Sequence, residues 1–138
     1  MWFLTQEGVD RYDGKYIKHY NFSDDSIKLD SRIALNWLYM DSGNILWVIG
    51  QKGRIFRYDS QHDKFKLAYI HPELIRNKPQ AFLNYGYLDK NDRIWLCYKD
   101  SITWYDIRTG TTLHMPTPVN GEITAIEQTD SNHFFIGT

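Results

Sequence analysis

Short segments in which hydrophobic and polar residues alternate fill most of the chain, and turn-forming residues separate them. Residues 54–58 and 64–69 alternate with a period of two, as expected for half-buried β-strands. Shorter apolar runs surround the tryptophans and match more deeply buried strands. We predict a single helical turn, over residues 71–77, because Pro72 stands near its start and Pro79 lies beyond it. The pattern therefore predicts an all-β chain.

The pattern also repeats along the chain. Segments that begin at Trp2, Trp47 and Trp95 each start with an apolar run, turn, and close with Tyr-Asp. The Tyr-Asp pairs start at residues 12, 58 and 105, so they are 46 and 47 residues apart. Residues 123–138 hold a weaker copy, with Phe135 in the place of the tryptophan. A period of this length is typical of a repeat architecture.

A second signature precedes the later tryptophans. Residues 35–41 match residues 83–89, and each segment ends in an Asp followed by Gly, Asn or Asp turn residues. Each repeat then divides into four short antiparallel strands, which is the signature of a propeller blade. The predicted fold class is therefore all-β, a partial β-propeller of about three four-stranded antiparallel blades.

The chain does not begin at a blade boundary, because its first and last strands are both second strands of a blade. As a single propeller segment, residues 1–138 divide into an incomplete blade, two full blades and the first two strands of a fourth blade. These parts cover residues 1–22, 32–69, 80–116 and 122–138. Closed propellers generally use four to eight blades, and an open arc leaves unpaired edge strands. We expect the remaining blades of a longer parent protein, or self-association through the open blade edges, to complete the arc; the alternative is a compact three-blade unit.

Composition narrows the partners. The 138 residues include 16 basic and 17 acidic side chains, a formal net charge of −1, which removes the usual electrostatic case for a nucleic-acid or anionic-membrane binder. No apolar run approaches the roughly 18 residues that a membrane-spanning helix needs, so we expect no membrane contact by this segment. The first residues lack the basic and apolar regions of a signal peptide. Aromatic residues make up 16% of the chain, and many fall at recurring positions of the repeat.

No motif for catalysis or for a cofactor is present in the sequence. Cys97 lies in a predicted inner strand, where a free cysteine behaves as a small buried hydrophobe. The five histidines stand singly, without the spacing of a zinc site. The repeated Asp residues 41, 89 and 130 are predicted to form hairpin turns, because their loops are much shorter than a calcium loop and lack its closing Glu. We therefore predict no metal, no cofactor and no catalytic residue.

Aromatic residues that recur at one position of the repeat are predicted to pack between adjacent blades, because an indole buries a large area. This set contains Trp2, Trp47, Trp95 and Phe135. The tyrosines of the Tyr-Asp pairs are predicted to be structural as well, and each following Asp is predicted to be a turn residue.

Positions that differ between repeats are the candidates for ligand contact. They lie on the innermost strands and the loops that lead into them: Arg32, Asn36, Trp37, Tyr39, Gln80, Asn84, Tyr85 and Tyr87, with Asn120, Glu122 and Thr124 in the last copy. Aromatic faces beside amides and an arginine suit the stacking and hydrogen bonding of a sugar. The alternative is that the aromatic residues only pack the blades. A further candidate is the insertion at residues 70–79, as a partner-facing element.

Three segments carry a family resemblance. Residues 41–47 and 134–138, together with residues 8–15, resemble the two-component regulator propeller repeat, whose pattern runs Asp-x-x-Gly-x-Ile-Trp-Ile-Gly-Thr and then Gly-Leu-x-Arg-Tyr-Asp. The resemblance covers essentially the whole chain. It is weaker at residues 47–50, which carry one extra residue, and at residues 95–98, where both the Gly and the Thr are replaced.

The resemblance implies a periplasmic location and a role in signalling. In that family, tandem repeats form the sensor region of hybrid two-component histidine kinases, which are common in gut bacteria that degrade polysaccharides. The chain is then expected to be a non-catalytic sensor or ligand-binding segment that responds to oligosaccharides, with the kinase elsewhere in the parent protein. The alternatives are a protein-interaction propeller scaffold and a fragment of a propeller hydrolase or lyase.

Overall fold

The computed structural model describes residues 1–22, 34–72 and 82–138, which form thirteen β-strands in four antiparallel sheets. The prediction of an all-β chain of short antiparallel strands is confirmed. The four sheets are hydrogen-bonded separately and do not close on one another. Within the described ranges, no helix is long and apolar enough to cross a membrane. The helical turn predicted over residues 71–77 falls mostly outside these ranges.

The strands of each sheet follow one another in chain order, joined by hairpins. The first sheet contains β1 (Trp2–Leu4), β2 (Val9–Tyr12) and β3 (Ile17–Tyr20). The second contains β4 (Leu35–Met40), β5 (Leu46–Gly50), β6 (Ile55–Asp59) and β7 (Lys64–Tyr69). The third contains β8 (Tyr85–Leu88), β9 (Arg93–Cys97), β10 (Ser101–Asp106) and β11 (Thr112–Pro116). The fourth contains β12 (Ala125–Gln128) and β13 (Phe134–Gly137).

Each sheet packs against the next one along the chain through opposite faces. We call the face toward the following sheet the forward face and the face toward the preceding sheet the backward face. Trp47 and Ile49 lie on the forward face of the second sheet and share a buried cluster with Ile94 and Leu96, on the backward face of the third. Alternation along β5 and β9 produces this arrangement, because successive side chains point to opposite faces.

The same relation joins the other two pairs of sheets. Trp2, on the forward face of the first sheet, packs with Val48 and Phe56 on the backward face of the second. Trp95, on the forward face of the third sheet, packs against Phe134 of the fourth, with ring centroids 4.6 Å apart. The core is therefore three apolar layers between four sheets.

The recurring aromatic position behaves as predicted inside the stack and differently at its end. Trp47 and Trp95 are 2% and 4% exposed, and Trp2 is half-buried, so their predicted packing role is confirmed. The prediction is wrong for Phe135, which is 70% exposed. Phe135 lies on the forward face of the fourth sheet, and the described residues place no sheet beyond it.

The hairpin turns depend on repeated aspartates. The Oδ1 atom of Asp41 accepts hydrogen bonds from the main-chain N–H groups of Gly43 and Ile45, both at 2.9 Å, while Oδ2 accepts one from Trp47 Nε1 at 2.8 Å. Asn44 adopts a left-handed φ of 61° in this turn. The aspartate therefore fixes the turn and the indole together, and its predicted turn role is confirmed.

Asp89 repeats this arrangement in the third sheet. It accepts hydrogen bonds from the main chain of Asn91 and Arg93 and from Trp95 Nε1, and Asp92 has a φ of 58°. Here the carboxylate is completely buried and is also bonded by Arg93 Nε at 3.0 Å.

Asp130 does not occupy the same register as Asp41 and Asp89. The bond that closes the hairpin of the fourth sheet joins Thr129 N to His133 O, so Thr129 takes that register. Asp130 still caps the turn, because its Oδ1 accepts from the main chain of Asn132 and His133. The Asp130 residue is therefore a turn residue, as predicted, without a link to a buried aromatic ring.

A polar cluster around Asp63 joins the first and second sheets. Its carboxylate accepts hydrogen bonds from Tyr20 and Tyr58 at 2.6 Å and from Arg11 at 3.1 Å, and Lys18 pairs with its other oxygen. The lysine, followed by the two phenols, lowers the pKa of Asp63 well below its usual range. The carboxylate therefore stays ionised in acid when the chain is folded.

The lowered pKa of Asp63 predicts a pH-dependent contribution to stability. Such a group stabilises the fold above its unfolded pKa, about 3.9, and the contribution is lost as the pH falls through the lower folded value. We expect Asp63→Asn to lower the urea midpoint at neutral pH, with a gap to the wild type that narrows in acid. The exposed Asp100→Asn is the control and should show no such gap. A gap that stays constant between neutral and strongly acidic pH would contradict the prediction.

Candidate ligand-binding site

The predicted ligand-contact residues lie on two neighbouring edge strands, β4 and β8, and on the residue before β8. Six of the eight fall within the described residues, and the structure brings them into two adjacent rows. Arg32 and Gln80 lie outside the described residues. The six are Asn36, Trp37, Tyr39, Asn84, Tyr85 and Tyr87.

The four aromatic residues form two edge-to-face pairs across adjacent sheets. The ring centroids of Trp37 and Tyr85 are 6.0 Å apart at 73°, and those of Tyr39 and Tyr87 are 6.4 Å apart at 82°. All four rings are half-buried and also pack against the two core clusters that flank the third sheet. The rings therefore have a packing role, which the alternative predicted, and retain exposed area.

Gly86 makes the close approach of the two rows possible. A Cβ at this position would lie 3.0 Å from Cε3 of Trp37 and 3.1 Å from Cδ1 of Ile49, so a side chain would displace the indole. The Tyr39 hydroxyl donates to the main-chain oxygen of Gly86 at 2.8 Å. Burial, followed by the nearby phenols of Tyr85 and Tyr87, raises the pKa of Tyr39, so its hydroxyl remains a donor in the neutral form.

Two asparagines place amide groups beside the aromatic rows. Asn36 is the extra residue of a β-bulge, because Leu35 pairs with Gly50 while Trp37 pairs with Ile49, and its side chain is exposed. Bulges redirect a side chain and often occur beside functional sites. Asn84 Nδ2 is buried and has no hydrogen-bond partner among the described residues. A buried donor without an acceptor costs roughly 1–3 kcal/mol, so this amide is suited to a partner that supplies one.

The aromatic rows do not continue into the fourth sheet. Ala125 and Glu127 occupy the register of Tyr85 and Tyr87, and both are exposed. The polar positions predicted for the last copy are exposed as well: Asn120, Glu122 and Thr124. The candidate site is therefore confined to the second and third sheets.

A cleft of about 610 Å³ lies elsewhere, between the third and fourth sheets. Trp95, Trp104 and Met115 line one side, and Phe134 and Ile136 line the other. It exists because the fourth sheet has two strands, which leave part of the forward face of β10 and β11 uncovered. Sequence reasoning missed this cleft, since its walls come from different repeats and no local pattern marks it.

Metal and thiol chemistry have no supporting geometry in the described part of the chain. Among residues 1–22, 34–72 and 82–138, no three His, Cys, Asp or Glu side chains come together as a group that could hold a metal ion. Cys97 is fully buried, and burial raises the pKa of its thiol to about 12. The thiol is therefore protonated at neutral pH and is not poised as a nucleophile.

Comparison with known proteins gives a likeness of fold. No family model matches the sequence, and no curated protein matches it. The extracellular domain of BT3049 from B. thetaiotaomicron, assigned as a hybrid two-component system, superposes on 99% of this chain with a TM-score of 0.70 and 22% identity. The chain shares the fold of that domain.

Two structures of the extracellular domain of BT4673 from the same organism give similar values. That protein is assigned as a one-component system in one structure and as a hybrid two-component system in the other. Both match 99% of this chain at 16% identity, with TM-scores of 0.69 and 0.68. The chain spans only about a fifth of the length of these proteins, 18–20%.

Proposed function

We propose that this chain is a non-catalytic segment of the sensor region of a two-component regulator, on the extracellular or periplasmic side of the membrane. Its four stacked sheets would form part of a β-propeller of the two-component regulator type, with the kinase elsewhere in a longer parent protein. Two features support this: the sequence repeat keeps one packing relation through all four sheets, and the whole described fold superposes on extracellular domains assigned to such systems.

The proposed ligand is an oligosaccharide, bound along the edges of β4 and β8. The unpaired amide of Asn84, set beside half-exposed aromatic rings, is the observation that carries this part of the proposal. Sugar hydroxyls can accept from such an amide, and sugar C–H faces pack on aromatic rings. Binding that favours one arrangement of the sensor region over another would shift its conformational equilibrium and so transmit the signal.

The test measures oligosaccharide binding by thermal shift and by calorimetry, with neutral oligosaccharides of varied composition. We expect Asn84→Ala and Asn36→Ala each to weaken binding about tenfold, which corresponds to one hydrogen bond of about 1.4 kcal/mol. Gln6→Ala, which removes an exposed amide from the β1–β2 turn of the first sheet, is the matched control and should bind as the wild type does. The folded state of each variant is checked by far-UV circular dichroism.

Two results would count against this ligand. One is the lack of a thermal shift with every oligosaccharide while the wild type is folded. The other is binding that is equally strong in the asparagine variants, which would place the ligand elsewhere on the chain.

A protein-interaction scaffold is the second candidate function. The apolar cleft between the third and fourth sheets and the exposed Phe135 beside it favour this alternative. A scaffold would bind a purified partner protein in calorimetry and give no response to oligosaccharides. No observation on the described residues specifically favours the hydrolase or lyase alternative, so catalysis is not part of the proposal.

A further inference from the structure

Large apolar side chains are exposed at both ends of the stack of sheets. On the backward face of the first sheet, Met1, Phe3 and Ile17 are 75%, 45% and 70% exposed, and Tyr12 is 39% exposed. On the forward face of the fourth sheet, Phe135 is 70% exposed. These two faces are the ones that lack a neighbouring sheet among the described residues.

The register shows that the first sheet exposes positions that are buried in the other sheets. Phe3 occupies the second-strand position that Val48 and Leu96 occupy in the second and third sheets, and both of those are completely buried. Tyr12 corresponds in the same way to Tyr105, which is 6% exposed. The backward face of the first sheet is therefore built like the faces that are covered.

The forward face of the fourth sheet shows the complementary feature. Phe135 lies opposite Glu127 in the register that pairs Trp47 with Tyr39 and Trp95 with Tyr87. In the stack, that position always inserts an aromatic ring against the backward face of the following sheet. One end of the chain thus carries the inserting ring, and the other end carries the receiving face.

A polar pair on the receiving face is compatible with its being covered. His19 and Asp10 are bonded to each other beside Phe3. At the same register in the third sheet, Thr103 is bonded to His114 at 2.8 Å, and Thr103 is 1% exposed within the interface with the second sheet. A polar group paired with a histidine is therefore already part of one covered face in this fold.

We propose that the backward face of the first sheet binds the forward face of the fourth sheet of a second copy of this chain. The contact continues the interface that recurs three times inside the chain, with Phe135 of one copy against Phe3 of the next. The contact is head to tail, because two forward faces would oppose their Glu127 carboxylates. The inference deepens the self-association expected of a partial propeller, and it does not depend on oligosaccharide binding.

The test uses two variants that each damage one end, Phe3→Asp and Phe135→Asp. Mass is measured by light scattering over a range of concentrations. The wild type should form dimers or larger species, and each variant alone should have the mass of one chain, 16.4 kDa. Both positions are exposed, so the variants should fold as the wild type does, which circular dichroism and the thermal midpoint check. Met40→Asp, at an exposed apolar position away from both faces, is the matched control and should associate normally.

Mixing the two variants tests the head-to-tail geometry. The intact forward face of Phe3→Asp should bind the intact backward face of Phe135→Asp and give a one-to-one pair that grows no further. A wild type that stays monomeric at every concentration would overturn the proposal. So would a mixture that remains monomeric, because a contact between like faces cannot be restored by mixing. Oligosaccharide response, measured separately on the monomeric variants, tests the proposed function independently of this contact.

Discussion

Replacing Asp89 with alanine is expected to destabilise the fold by about 3–5 kcal/mol. The carboxylate is completely buried and accepts hydrogen bonds from two main-chain N–H groups, from Arg93 Nε and from Trp95 Nε1. Its removal leaves these donors without their acceptor and leaves the guanidinium of Arg93 without its charge partner. Urea unfolding followed by tryptophan fluorescence measures the change in the free energy of unfolding.

The matched control is Asp130→Ala. Asp130 also accepts two main-chain N–H bonds in a hairpin turn, but its side chain is 60% exposed, and none of its hydrogen bonds comes from a ring in the core. We expect its loss to cost about 1 kcal/mol or less. Equal effects of the two substitutions would show that the link to the buried indole contributes little.

Replacing Trp47 with alanine is expected to destabilise the fold by about 3–5 kcal/mol as well. The indole is 2% exposed and fills the layer between the second and third sheets, where its ring centroid lies 6.2 Å from that of Tyr105. The substitution opens a cavity between two sheets that have few other contacts, so the free energy of unfolding should fall without a change of fold.

Phe135→Ala is the control for this prediction, because it has the same register as Trp47 and is 70% exposed. At a concentration where the chain is monomeric, its effect on unfolding should be within about 0.5 kcal/mol. A large effect in the monomer would mean that Phe135 is covered by the chain itself.

Local patterns sufficed to predict the elements of this fold. The alternating segments, the Asp-led turns and the spacing of the tryptophans predicted short antiparallel strands because each depends on neighbours within a few residues. The left-handed turn residues Asn44 and Asp92 follow from the same local chemistry. The register of Asp130 was the local error, since the hairpin is closed by Thr129 and His133 one position earlier.

The candidate site was predictable in part. The repeat placed Trp37 and Tyr39 beside Tyr85 and Tyr87, and the structure confirms that these rows are adjacent. The bulge at Asn36 and the unpaired amide of Asn84 depend on the pairing of strands that are distant in sequence, so no local pattern shows them. The cleft beside Trp104 depends on how much of one sheet the next one covers.

The sequence by itself determined the strands, the turns and the repeat, because alternation and turn chemistry act over a few residues. The tertiary structure decided which copies of a repeated position are buried. Trp47 and Phe135 share one register, yet one is covered by a following sheet and the other is not. Exposure depends on the presence of a neighbour, which a repeat unit does not encode, and this is why the ends of the stack carry the surfaces that we propose for association.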